Sequence, residues 1–120
     1  MNAVPDFGTE GLLWLTIRRS GRTSSGERTP IPVEAWRELV RTDRSFRPVH
    51  EVQGVNPMTK RPMRIKVHDC AEWTDHPESL PYLFEFTRGQ ITISSADRHV
   101  VAKAREVAEA LDAEVEVTVD

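Results

Sequence analysis

The chain has 120 residues, 38% of them hydrophobic and 29% charged, with 16 Lys and Arg set against 19 Asp and Glu for a formal net charge of −3. That length suits one domain with a core of its own. No run of about 18 apolar residues is present to span a membrane, and the single cysteine, Cys70, excludes an internal disulfide framework or a cysteine-based zinc cluster.

Residues 1–10, with Pro5 and Gly8, read as a flexible lead-in, and no basic stretch there leads into an apolar one, so no signal peptide is expected and the default address is cytoplasmic. Residues 12–19 predict a strand, in which Leu13, Leu15 and Ile17 alternate with Trp14, Thr16 and Arg18. Residues 20–30 hold glycine, serine and charge with little to bury, which predicts a mobile surface loop. Residues 32–41 predict a helix opened by Pro32, with Val33, Trp36, Leu39 and Val40 as its apolar stripe.

Residues 47–53 read as a strand whose Pro48 suits an edge. After a loop with Gly54 and Asn56-Pro57, residues 63–70 alternate clearly: Met63, Ile65 and Val67 on an inner face, Arg64, Lys66 and His68 on the other. Residues 71–81 are expected to loop. Residues 82–87 and 90–94 form the best hairpin pattern in the chain, turned by Arg88-Gly89. Ser95 or Asp97 then caps a helix reaching Leu111, with Val100, Ala104, Val107, Ala108 and Leu111 buried and Arg105 and Glu109 paired on its surface. Residues 114–120 close the chain as a strand with Val115, Val117 and Val119 inward. The order β-α-β-β-β-β-α-β predicts a single α+β domain, a two-layer sandwich with two helices on one face of a mostly antiparallel sheet. The second helix and its flanking strands form a candidate crossover unit.

The densest polar cluster runs from His68 to His76. His68 and Cys70 are two apart, hence on one face of a regular strand, and with His76 they are the candidate metal set, although the spacing matches no compact zinc signature and no cofactor is expected. Cys70 with His50, His68 or His76 as base is a nucleophile arrangement without an elbow or a helix N-terminus behind it. The carboxylate pairs Glu72 with Asp75 and Glu78 with Glu85 are the acid–base candidates. The loop from Ser20 to Gly26 is glycine-rich and basic but lacks the Lys-Ser/Thr and following helix of a phosphate loop.

Charge is uneven. Arginines dominate residues 1–50, whereas Glu106, Glu109, Asp112, Glu114, Glu116 and Asp120 close the chain with no basic residue among them. Arg18, Arg64 and Lys66, with Trp14 and Trp73, outline an arginine-mediated nucleic-acid face. Against it, the net negative charge and the acidic last strand favour a basic protein partner.

The stretch Gly54-Val55-Asn56-Pro57-Met58-Thr59, then Trp73, His76-Pro77, Phe84, Gly89-Gln90-Ile91, Lys103 and the closing Ala108, Leu111, Ala113 and Val115, resembles a family of small bacterial proteins of unknown function over residues 50–119. The resemblance implies no catalytic residue. By analogy of class it implies an immunity or inhibitor protein for a toxin, for which Trp73, Asp75, His76, Glu114 and Glu116 are the candidate partner-binding residues. The alternatives are a metal-binding protein or enzyme centred on His68, Cys70 and His76, and the nucleic-acid module.

Overall fold

A computed structural model describes residues 13–21, 24–26, 28–95 and 97–119. The expected lead-in over residues 1–10 lies outside these, as do Arg22, Thr23 and Glu27 of the expected loop. Its elements are β1 (Leu13–Arg18), α1 (Val33–Thr42), β2 (Phe46–Val55), β3 (Pro62–Trp73), β4 (Tyr82–Thr87), β5 (Gln90–Ile93), α2 (Arg98–Ala110) and β6 (Glu114–Val119). The six strands form one sheet in the order β2-β3-β4-β5-β1-β6, with every neighbouring pair antiparallel. The expected α+β arrangement and element order are present.

Strand register explains which residues face the helices. Leu15 pairs with Ile93, Ile17 with Ile91, Phe86 with Ile91 and Phe84 with Ala71, so the apolar members of β1, β3, β4 and β5 fall on one face. Onto that face α2 packs against β1 and β6, and α1 against β2 and β3. Trp36 of α1 sits between Phe46 and Phe84, with ring centroids 5.5 Å and 6.5 Å away, and forms the centre of the core. From α2 the whole expected stripe is buried: Val100, Ala104, Val107, Ala108 and Leu111. The crossover through α2 is split, because β5 and β6 lie on either side of β1.

The helix ends are specified by their own residues. Asp97, not Ser95, caps α2, its carboxylate accepting from the N–H groups of His99 and Val100. At the other end Asp112 takes a φ of 55°, and the N–H groups of Ala113 and Asp112 return to the carbonyls of Ala108 and Glu109. The Arg19 guanidinium donates to the Leu111 carbonyl, so one of the N-terminal arginines caps a helix. The expected Arg105–Glu109 pair is not among the ion pairs of the described residues; Lys103 instead bridges Glu106 and Asp43.

The hairpin between β4 and β5 turns on Arg88 and Gly89 at φ 54° and 78°, the two left-handed residues of a type I′ turn. Gly89 has a second constraint. The segment after the 20–30 loop folds back here, the Ile31 N–H donating to the Gly89 carbonyl at 2.9 Å. A Cβ on Gly89 would lie 2.4 Å from Pro30 Cβ. Gly89→Ala is expected to lower stability by more than the ~1–2 kcal/mol of a left-handed alanine alone, read as a shift in urea midpoint.

Three expectations need correction. β3 extends to Trp73, so Glu72 and Trp73 are strand residues paired with Arg47 and Phe46 rather than the start of a loop. Met63 and Ile65, expected inward, are 38% and 42% exposed. The reason is length: β3 has 12 residues, about 40 Å of strand, whereas the 10 residues of α1 cover only about 15 Å. The outer halves of β2 and β3 therefore project past the helix layer as a two-stranded arm. Val117 is likewise 54% exposed on the edge strand β6, while Val115 packs against the core.

Candidate functional site

The residues expected to bind a partner fall into two groups far apart in the sheet. Glu114 and Glu116 lie on β6 at one edge, and Glu116 is held by the Arg18 guanidinium of the neighbouring β1. Trp73, Asp75 and His76 belong to the end of β3 and the loop after it, with Asp75 exposed and Trp73 and His76 buried. Arg18 also leaves the expected basic face, since β1 is three positions from β3, which carries Arg64 and Lys66.

His76 is a brace. Its side chain is fully buried among the rings of Trp73, Tyr82 and His99. Its Nδ1 accepts from the Glu78 N–H at 3.0 Å, which places the ring hydrogen on Nε2, and Nε2 donates to Asp97 Oδ1 at 3.0 Å. Both nitrogens are committed, so this arrangement leaves no lone pair for a metal or a substrate proton. Burial alone would push the Asp97 carboxyl up. The hydrogen bonds from His76 and from the His99 and Val100 N–H groups outweigh it and hold the group below the ordinary carboxylate range.

Beside this brace an open cleft of about 530 Å³ runs between α2, the α1–β2 turn and the β3–β4 loop, lined in part by Asp43, Trp73, Asp75, His99 and Lys103. Lys103 reaches Asp43 at 2.7 Å and Glu106 at 2.6 Å and lies 5.3 Å from the centre of the Phe46 ring. Burial would pull its ammonium down, but the two carboxylates prevail and raise it. Asp43, also raised by burial alone, is held low by Lys103 and by the N–H and hydroxyl of Ser45. Lys103 is thus committed to Asp43 and Glu106, and Asp75 adds a further carboxylate to the cleft; among the described residues no buried side-chain N or O lacks a hydrogen-bond partner.

His68, Cys70 and His76 do not converge. Between the pairs Val49–Cys70 and Glu51–Lys66, the single residue His50 faces three of β3, Val67, His68 and Asp69. Asp69 adopts φ 59°, a left-handed conformation that aspartate tolerates better than most residues. This bulge breaks the period-2 spacing that was expected to put His68 and Cys70 on one face: His68 is exposed and Cys70 buried. Burial pushes the Cys70 thiol up and Glu85 adds to it, the opposite of nucleophile activation. No group of three His, Cys, Asp or Glu suited to a metal occurs among the described residues. Of the carboxylate pairs, Glu72 is bound to Arg47, and Glu78 contributes its backbone N–H to His76.

The bulge builds something the sequence did not announce. The Trp36 indole N–H donates to the Asp69 carbonyl at 2.8 Å, and the Arg37 guanidinium grips the Asp69 carboxylate. Where α1 meets this distorted root of the arm, a mostly apolar pocket of about 310 Å³ opens, lined by Trp36, Val40, Pro48, Val49 and Cys70 together with Arg37, Arg41, His50 and Asp69. Its size and lining are those of a ligand or anchor site. The apolar surface continues outward. Val52 pairs with Ile65 and Gly54 with Met63 on one face of the arm, where the Met63 and Ile65 side chains come within about 4 Å of a Cβ placed on Gly54. Val55 and Met58 near the tip are 62% and 89% exposed. No helix in the described residues is long and apolar enough to cross a membrane. Comparison of the chain with protein-family models, with curated proteins and with solved structures finds no match in any of the three.

Proposed function

We propose that this chain is a non-enzymatic bacterial protein-binding module, of the kind that immunity and inhibitor proteins represent, acting in the cytoplasm and docking through the β2–β3 arm. The observation that carries this reading is the uncovered apolar face of the arm: Met63 and Ile65 alternate like core residues yet have no layer above them. Exposed apolar surface of this kind is a common mark of a protein interface. The placement of Trp73 and His76 moves the expected contact surface away from them, since buried side chains offer a partner little area, and leaves Asp75 and the β6 carboxylates as peripheral charge. The reading centred on His68, Cys70 and His76 draws no support from residues that stand apart.

The test compares tagged wild type with Met63→Ser/Ile65→Ser as baits in the native host. Wild type is expected to retain a partner protein in near-stoichiometric amount, and the variant to lose at least tenfold of it while keeping the same thermal midpoint. Equal retention by both baits, or stoichiometric metal in the purified protein, would sink the proposal.

A further inference from the structure

Building on that reading, we infer that the partner presents an acidic amphipathic helix, which seats an apolar side chain in the pocket at the root of the arm and runs outward along the arm's apolar face. Three observations converge on this occupant.

The first is continuity. Along β2 the face that carries Phe46 into the core next carries Pro48, then His50, Val52 and Gly54. Pocket and arm surface are therefore one track on the helix-covered side of the sheet, beginning where α1 stops. The second is dimension. From Pro48 to Gly54 is about 20 Å of strand, the length of about 13 helical residues. The track is a face and not a free backbone edge, so it is read by side chains at helical spacing rather than by strand addition.

The third is charge. Lys60 and Arg61 lie at the tip, and Arg64 and Lys66 lie along β3 on the opposite face of the two-stranded arm from Met63 and Ile65; none of the four is in an ion pair among the described residues. Arg37 and Arg41 stand at the pocket end. The carboxylates nearby are Glu34 and Asp69, both engaged by Arg37, Glu38 engaged by Arg41, Glu85 opposite Cys70, and Glu51 on the arm. The excess of cations thus lies on the arm, where Lys60, Arg61, Arg64 and Lys66 stand against Glu51, in a chain whose net charge is −3. Such a local field steers an acidic partner to this end of the molecule. Duplex nucleic acid would use the cations but leave the apolar strip wet, which is why protein is the favoured source of the negative charge.

The experiment uses the full chain and three labelled 14-residue helical peptides: leucines on one face with glutamates opposite, the same leucines with lysines, and the glutamates with serines in place of leucine. Binding is followed by fluorescence anisotropy, with a 20-base-pair duplex as a fourth probe. The Leu/Glu peptide is expected to bind at least tenfold tighter than each of the others, and to lose at least tenfold with Ile65→Glu and with Arg41→Glu, both at exposed positions. Equal binding of the lysine peptide overturns the charge assignment, and undiminished binding of the serine peptide overturns the anchor. Tighter binding of the duplex replaces the partner class with nucleic acid. A dimer in sedimentation that Ile65→Glu dissociates means a second copy covers the track. Any of these results, obtained while capture of a host protein still depends on Met63 and Ile65, overturns the acidic helix and leaves the protein-binding reading intact.

Discussion

Trp36→Ala is expected to remove about 3–5 kcal/mol of stability, a large part of the 5–15 kcal/mol that a domain of this kind has in total. Three losses coincide at this side chain. It is 1% exposed, so its removal leaves a cavity between α1 and the sheet. It also ends the contacts with Phe46 and Phe84, which touch each other at 5.0 Å and would face that cavity. Finally, it frees the Asp69 carbonyl, so the bulge loses the donor that holds its left-handed residue. Trp36→Phe separates these effects. It keeps most of the ring volume and removes the donor, for an expected loss of about 1–3 kcal/mol. Urea denaturation with a common m-value measures both. A loss below about 1 kcal/mol for Trp36→Ala would mean that α1 is not anchored where the geometry places it. The alanine variant should also enlarge the pocket at the arm's root, since Trp36 is part of its wall.

The same region shows what can and cannot be read from a sequence. The α2 stripe was legible because each of its members meets a covering layer, so 3.6-residue spacing and burial coincide at Val100, Ala104, Val107, Ala108 and Leu111. Met63 and Ile65 carry an equally good strand pattern, but period-2 alternation records only that two faces differ. It does not record whether a helix is long enough to cover one of them. That depends on the mismatch between 10 residues of α1 and 12 of β3, which is a property of the assembled layers. The bulge was hidden for a related reason: only Asp69, a residue at ease in the left-handed region, hints at it, and aspartates are common in ordinary strands and loops. The candidate site moved accordingly. The sequence marked the His68 to His76 cluster as dense in chemistry, but density along a chain is not convergence. The partner that fixes His76 is Asp97, 21 residues on, and the carboxylate that fixes Lys103 is Asp43, 60 residues back. Neither pairing leaves a local signal.

The His76–Asp97 contact supports the second large expectation. Asp97→Ala at neutral pH removes the α2 N-cap, worth about 1 kcal/mol, and leaves the buried Nε2–H of His76 without an acceptor, a further ~1–3 kcal/mol. Asp97→Asn retains an oxygen that can accept from the same N–H groups, so it is expected to lose much less. The two variants also differ in their pH dependence. The Asp97 and Asp43 carboxyls are held below their ordinary range in the folded chain, whereas an unfolded aspartate titrates near 3.9, roughly. As the pH falls below about 4, the unfolded chain takes up these protons first. The stability contributed by each carboxylate is therefore fully present above that pH and is lost as the pH falls through the folded value. Lys103 has the opposite sign: its raised ammonium contributes fully below about 10.4 and is lost as the pH rises through its folded value. Between these limits the wild-type urea midpoint is expected to vary little with these three groups. Asp97→Asn should show a shallower acid limb than wild type, because one of the carboxylates held below its ordinary range no longer titrates. Asp97→Ala should combine that shallow limb with a lower midpoint at every pH. If Asp97→Asn instead tracks wild type through the acid limb, the Asp97 carboxylate does not carry the charge that braces His76 and the start of α2.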